Sequence, residues 1–208
     1  MRRRSVMLTI GLTGGIGTGK SLVSDFLKNQ GAALVNADLL GHEAYYPGTP
    51  GFQQVVDAFG KGIVGVDGNV DRKKLGPIVF SDPEYMDRLN GIMHPLIKDM
   101  IVDRLTKIAS NGDEIAVVEA AILLEAGWKP LFDEIWVVTA SAEEIITRLE
   151  TRNDLSREDA QQRIDSQMSS EERISYADIV LENNGTIEKL KERVEELWKE
   201  RVPEQTRS

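Results

Sequence analysis

Eight consecutive residues, Gly14-Gly15-Ile16-Gly17-Thr18-Gly19-Lys20-Ser21, satisfy the spacing G-x-x-x-x-G-K-[ST] at every fixed position. Each residue type there has a physical task. Glycines reach backbone conformations closed to other residues, so successive N–H groups can converge on the oxygens of one phosphate. A helix opening near Lys20 adds the partial positive charge of its N-terminus. Lys20 brings a point charge to the β- and γ-phosphates, and the Ser21 hydroxyl is an oxygen ligand for Mg2+. The chemistry implied is binding of a nucleoside triphosphate with its metal.

A carboxylate, Asp38, follows the glycines by about twenty residues, where a dinucleotide-binding fold would place its ribose-binding acid. That alternative fails on the glycines. Lys20 and Leu22 stand where a third glycine of G-x-G-x-x-G would fall, and Lys20-Ser21 has no task in such a site. The guanine-reading pattern N-K-x-D is absent, which sets aside a GTPase switch. A triphosphate site in a chain this short suits a small-molecule kinase. Such an enzyme needs an acid to receive the acceptor's proton and arginines to screen the moving phosphoryl group. Asp38, just beyond the second strand and expected beside the phosphate loop, can serve as that base. It can equally cap a helix running from about Leu39. Spacing alone leaves both open.

These residues need elements to hold them. The apolar runs Val6–Leu12, Ala33–Asn36, Ile115–Glu119, Ile135–Thr139 and Ile179–Leu181 read as strands. The first, third and fourth are β-branched and nearly continuous, as in a parallel sheet buried on both faces. Helical patterns lie between them. One covers Ser21–Asn29. Another, Glu143–Thr151, is opened by the capping box Ser141-Ala142-Glu143-Glu144. A third carries Ile187, Leu190, Val194, Leu197 and Trp198 on one stripe. Alternating strand and helix predicts an α/β fold with a five-stranded parallel sheet and helices on both faces. The stretch 41–111 is too long for a loop. It has a glycine-rich middle, Gly60–Asp71, and a helical second half opened by Asp82-Pro83, so it reads as a helical insertion over the sheet's edge. Residues 1–40 and 112–208 are then the layered core, with a charged, helix-prone stretch at about 150–175.

Composition narrows the partners. The 208 residues include 34 acids against 25 bases, a net charge of −9, so nucleic acid is not an expected partner. With no cysteine, disulfide scaffolds, thiolate zinc sites and cysteine nucleophiles are excluded. No run approaches the roughly 18 apolar residues of a membrane span. Met1-Arg2-Arg3-Arg4 reads as a basic cap on the first strand and not as a secretion signal. A cytoplasmic protein, monomeric or weakly oligomeric, is the expectation.

The motifs together resemble the dephospho-coenzyme A kinase family. The resemblance runs through Ile10-Gly11-Leu12-Thr13 and the phosphate loop, Asn36-Ala37-Asp38, Asp67 through Leu75, Val79-Phe80 and His94-Pro95. It continues through Leu123-Leu124-Glu125, Arg148 with Arg152, Arg163 through Gln167, Ala177 through Val180, and Asn183-Asn184-Gly185. It implies a P-loop kinase fold in which residues 1–40 and 112–208 are the nucleotide-binding core, 41–111 a helical substrate-binding insertion and about 150–175 a helical lid. It also implies transfer of the γ-phosphate of ATP, with Mg2+, to the ribose 3′-hydroxyl of dephospho-CoA. Gly14, Gly15, Ile16, Gly17, Thr18, Gly19, Lys20, Ser21 and Leu22 would bind the nucleotide, with Asn184 in the adenine loop and Ser21 on the metal. Lys20, Asp38, Arg148 and Arg152 would be catalytic, Asp38 as the base. Asp38, Arg72, His94 and Leu123 would lie on the substrate side.

Each residue has a plainer reading. Arg148 and Arg152 fit a solvated helix, Arg72 a surface ion pair, His94 a helix interior, and Asn183-Asn184-Gly185 a strand-to-helix turn. The family commonly carries D-x-D where this chain has Asn36-Ala37-Asp38, so Glu119 is an alternative acid for the metal. It often carries a proline at Ala121, which this chain lacks. The competing functions are a P-loop kinase for a nucleoside, a nucleotide or a sugar acid, and a nucleotide-binding module without transfer.

Overall fold

The computed structural model describes residues 7–201. The basic stretch Met1–Arg4 and Val6, read as the start of a strand, lie outside the described residues. Strand β1 (Leu8–Gly14) runs two residues beyond the sequence expectation, because Thr13 and Gly14 still pair with Val137 and Val138. Helix α1 (Lys20–Asn29), strand β2 (Ala33–Asn36), helix α2 (Ala37–Glu43), helix α3 (Pro50–Phe59), helix α4 (Arg72–Val79) and helix α5 (Pro83–Asn111) follow. Strand β3 (Ile115–Glu119), strand β4 (Glu134–Thr139), helices α6 (Ala142–Asn153), α7 (Arg157–Asp165) and α8 (Ser170–Ile174), strand β5 (Ile179–Glu182) and helix α9 (Ile187–Arg201) complete the order.

The five strands form one sheet in the order β2-β3-β1-β4-β5. Pairs β1–β3, β1–β4 and β4–β5 are parallel, with Leu12 opposite Glu119 and Gly14 opposite Val138. This order puts β2 at one edge of the sheet. β3 inserts between β1 and β2, so the strand ending beside the phosphate loop's own strand carries Glu119, not Asp38.

Alternation along β1 assigns its two faces. Ile10 and Leu12 join Val23 and Leu27 of α1 and Leu190, Val194 and Leu197 of α9 in the main core. The stripe read from the last helix docks through Leu190, Val194, Leu197 and Trp198, whereas Ile187 in its first turn stays 53% exposed. The opposite face is so close that a Cβ on Gly11 would stand 2.6 Å from Phe132 Cδ2 and 2.8 Å from Leu123 Cδ1. Any larger residue there would push the 121–132 segment off the sheet. A smaller cluster of Ile145, Ile146, Leu149 and Ala160 joins α6 to α7 and receives Ile16 of the phosphate loop.

The chain separates into two compact units. One comprises the stretch up to Val35 and everything from Leu105 onward, and the other is Asn36–Arg104. Within the second unit, Asp82 accepts the Glu84 N–H at 2.9 Å at the start of α5, and Asp71 accepts that of Lys73 at 2.9 Å at the start of α4. The glycine-rich middle closes on an antiparallel bridge between Val64 and Val70.

Candidate active site

The phosphate loop is held from its carbonyl side. Arg148 Nη1 donates to the carbonyls of Gly17 at 3.1 Å and Thr18 at 3.5 Å, and Arg148 Nη2 donates to that of Asn183 at 2.7 Å. Asn183 Nδ2 adds a second bond to the Thr18 carbonyl at 2.8 Å. A trans peptide carries its C=O and N–H on opposite sides, so fixing the Thr18 carbonyl turns the Gly19 N–H the other way. Gly19 caps α1 with a left-handed φ of 98°, and a Cβ there would run into the Asn183 amide. Both the conformation and the close approach demand glycine. The first N–H groups of α1, with no side-chain cap, continue the row of donors.

Lys20 and Ser21 meet on one carboxylate. Lys20 Nζ donates to Glu119 Oε1 at 2.6 Å, Ser21 Oγ donates to the same oxygen at 2.7 Å, and Ser24 Oγ donates to Oε2 at 2.8 Å. Lys20 is only 11% exposed and Glu119 3%. Burial alone would push the Glu119 carboxyl up. The three hydrogen bonds and the Lys20 charge outweigh burial and hold it below the usual carboxylate range. Glu119 is therefore an anion waiting beside the loop, with the lysine and the metal-ligating hydroxyl already gathered on it.

Arg148 and Arg152 stand one turn apart on α6. Arg148 is committed to loop carbonyls and to Glu144 at 3.4 Å, whereas Arg152 is exposed. Asn184 Oδ1 accepts the Ser141 N–H at 2.7 Å, which ties the turn after β5 to the cap of α6. Leu123, expected on the substrate side, is instead fully buried at 0% exposure, and its side chain serves packing against Gly11.

Arg173, which no sequence signal distinguishes from its charged neighbours, is 2% exposed. Its Nη1 donates to Thr13 Oγ1 and to the Ala121 carbonyl, both at 3.2 Å, and its Nη2 to Glu125 at 2.9 Å. It joins α8, the end of β1 and the 121–125 loop. A buried cation with three acceptors is a tertiary product, invisible to local pattern.

In the second unit, Asn36 Oδ1 accepts the Leu39 N–H at 3.0 Å and caps α2. The capping task considered for Asp38 thus belongs to Asn36. Asp38 lies exposed in the helix's first turn. Arg72 Nη1 donates to His42 Nε2 at 2.9 Å, which requires a neutral imidazole with its lone pair at that nitrogen. The same guanidinium lies 5.6 Å from the centre of the Tyr45 ring. Burial pushes the Tyr45 hydroxyl's pKa up, with the Arg72 charge opposing. His94 is half-buried inside α5, next to Pro95.

A family model described as dephospho-CoA kinase matches residues 8–189. A dephospho-CoA kinase of Geobacter sulfurreducens is 45% identical over 197 residues, spanning 95% of this chain and 100% of its own length. The chain belongs to the dephospho-CoA kinase family. The family member from Carboxydothermus hydrogenoformans is 43% identical across 91% of this chain and 92% of its own. Among solved structures, a Thermus thermophilus protein superposes with a TM-score of 0.80 at 30% identity, covering 95% of this chain and 99% of that one. A shikimate kinase from Acinetobacter baumannii, at 11% identity and a TM-score of 0.53 over 94% of this chain and 93% of its own, shares the fold alone.

Two departures from the family pattern acquire physical content. Asn36, in place of the first acid of D-x-D, caps a helix, a task Asn and Asp perform about equally. Ala121, in place of proline, leaves the loop's shape to hydrogen bonding. Its carbonyl accepts from Arg173 at 3.2 Å and from Thr13 Oγ1 at 3.3 Å. Asn183 is the loop's buried partner and Asn184 the exposed one; only parity after β5 could have separated them.

Proposed function

We infer that this family member transfers the γ-phosphate of ATP to the ribose 3′-hydroxyl of dephospho-CoA. The observation that carries the nucleotide half is the phosphate loop, with carbonyls clamped by Arg148 and Asn183 and with Lys20 and Ser21 gathered on Glu119. Gly14 through Leu22 bind the triphosphate. Lys20 leaves Glu119 for the β- and γ-oxygens, exchanging one anion for a more highly charged one.

The Ser21 hydroxyl and the Glu119 carboxylate, with oxygens 2.7 Å apart, form the hard-oxygen pair that suits Mg2+ beside phosphate oxygens. Bound there, the ion neutralises charge on the phosphates. Asp38 receives the proton of the 3′-hydroxyl as that oxygen bonds the γ-phosphorus, the bond to the β-phosphate oxygen breaks, and ADP leaves. Arg152 screens the transferring group, Arg148 holds the loop that receives it, and Asn184 lies on the adenine side. Arg72, paired with a neutral His42, and His94 face the acceptor. Among the described residues no helix is long and apolar enough to cross a membrane. We take the enzyme to work in the cytoplasm as a monomer or weak oligomer.

Coupled ADP release tests this across dephospho-CoA, adenosine and gluconate. Dephospho-CoA should turn over far faster than either alternative. Asp38→Asn should lower kcat by about 10²–10⁴-fold while ATP binding persists. Equal rates on adenosine would refute the acceptor assignment, and an active Asp38→Asn would place the base elsewhere.

A further inference from the structure

The segment joining α7 to α8 makes a contact with the phosphate loop that none of these roles uses. Gln167 Oε1 accepts the backbone N–H of Ile16 at 2.8 Å. The oxygen is close enough that a Cβ on Gly15 would stand 3.3 Å from it. The Ile16 side chain turns toward the same stretch, packing on the cluster of Ile145, Ile146, Leu149 and Ala160. One residue of the loop is therefore held twice by residues 142–167, at its amide and at its side chain.

The chemistry of that acceptor is informative. Backbone N–H groups in such a loop are anion donors, yet this one is engaged by a neutral group. A carboxylate would make a stronger, charge-assisted bond to the same N–H but would set a negative charge against incoming phosphates. An apolar side chain would release the peptide. Only a carboxamide of this length holds the amide while adding no charge.

We propose that Gln167 is a positioning residue of the nucleotide site: its carboxamide fixes the Ile16 peptide of the phosphate loop and, being neutral, lets a triphosphate bind the neighbouring N–H groups. This rests on the reading that the loop binds ATP, and it adds a residue whose task is to discriminate by charge.

The test uses the full chain with Gln167→Glu, Gln167→Met and Lys20→Ala, measuring KM for both substrates, kcat, melting temperature and ATP affinity by calorimetry. Gln167 is exposed, so its variants should melt close to the wild type. Gln167→Glu should raise KM for ATP by about tenfold or more and leave KM for dephospho-CoA within about twofold. Gln167→Met loses one neutral hydrogen bond and should raise KM for ATP by only about threefold. The rank order decides. A purely structural bond would survive in Gln167→Glu and place it above Gln167→Met, whereas the proposal places it below. Gln167→Glu with a KM for ATP within twofold of wild type, or better than Gln167→Met, would overturn the proposal. If Lys20→Ala also binds ATP like wild type, the loop reading itself has failed and the proposal with it. If Lys20→Ala loses ATP while Gln167→Glu keeps it, only the role of Gln167 falls.

Discussion

Glu119→Gln is the most informative single substitution, because its effect can be worked from the geometry. The carboxylate accepts from Lys20 at 2.6 Å, Ser21 at 2.7 Å and Ser24 at 2.8 Å, and it is 3% exposed. Glutamine keeps the shape. Its oxygen can still serve Lys20 and Ser21. Its NH2 would face Ser24, whose hydroxyl can turn to accept it and donate to the Ser21 carbonyl, 3.0 Å away. No bond need be lost, but three become weaker once the negative charge is gone. A hydrogen bond to a charged group contributes about 1.5–3 kcal/mol and a neutral one about 0.5–1.5, so the variant should lose roughly 2–4 kcal/mol. For a chain of this size each kcal/mol moves the melting temperature by about 2–4 °C, which sets the expected drop at roughly 4–16 °C.

The loss should depend on pH with a definite sign. The folded chain holds this carboxyl below its ordinary value, through hydrogen bonds and the Lys20 charge that together outweigh burial. Its contribution is therefore complete above the ordinary Glu value of about 4.3 and fades as pH falls through the lower folded value. Denaturant melts of both proteins at pH 7 and at steps below about 4.5 should show the gap narrowing in acid. A gap under about 0.5 kcal/mol at neutral pH, or one that widens in acid, would refute the idea that Glu119 is an ionised organiser of Lys20 and Ser21.

Lys20→Ala should lower kcat by about 10²–10³-fold in a chain that still folds, checked by steady-state ADP release and circular dichroism. Gly19→Ala forces a left-handed φ of 98° on an L-residue and drives its methyl into Asn183. It should cost about 2–4 kcal/mol in denaturant melts and weaken ATP binding in calorimetry. Arg173→Met removes a buried cation, but Glu125 is 32% exposed and can rehydrate. The cost should sit near 2–3 kcal/mol, below the usual 3–5 for a broken buried pair, and wild-type stability would show that Arg173 does not pin the 121–125 loop.

The nucleotide chemistry was written into eight contiguous residues. A loop of glycines followed by Lys20 and Ser21 works through its own backbone, and local spacing suffices to reveal it. The same holds for the elements with strong periodicity. β3 lies at its expected bounds, the Ser141 hydroxyl caps α6, and Leu190, Val194, Leu197 and Trp198 of α9 dock on the main core. Strand order was not legible in this way. The insertion of β3 between β1 and β2 depends on which crossovers pack best, and it set Glu119 at the end of the strand next to β1, where it meets Lys20.

Long-range polar contacts were equally hidden. Arg173 bonds Thr13 across 160 positions and Gln167 bonds Ile16 across 151, and nothing in their neighbourhoods marks them from other charged or polar residues of the same stretch. Sequence thus determined which chemistry the loop can perform and which segments are helix or strand, because those follow from short-range sterics and hydrophobic period. Tertiary structure alone decided which side chains hold that loop in working shape, because burial, and with it the strength of each polar contact, exists only after the layers have packed.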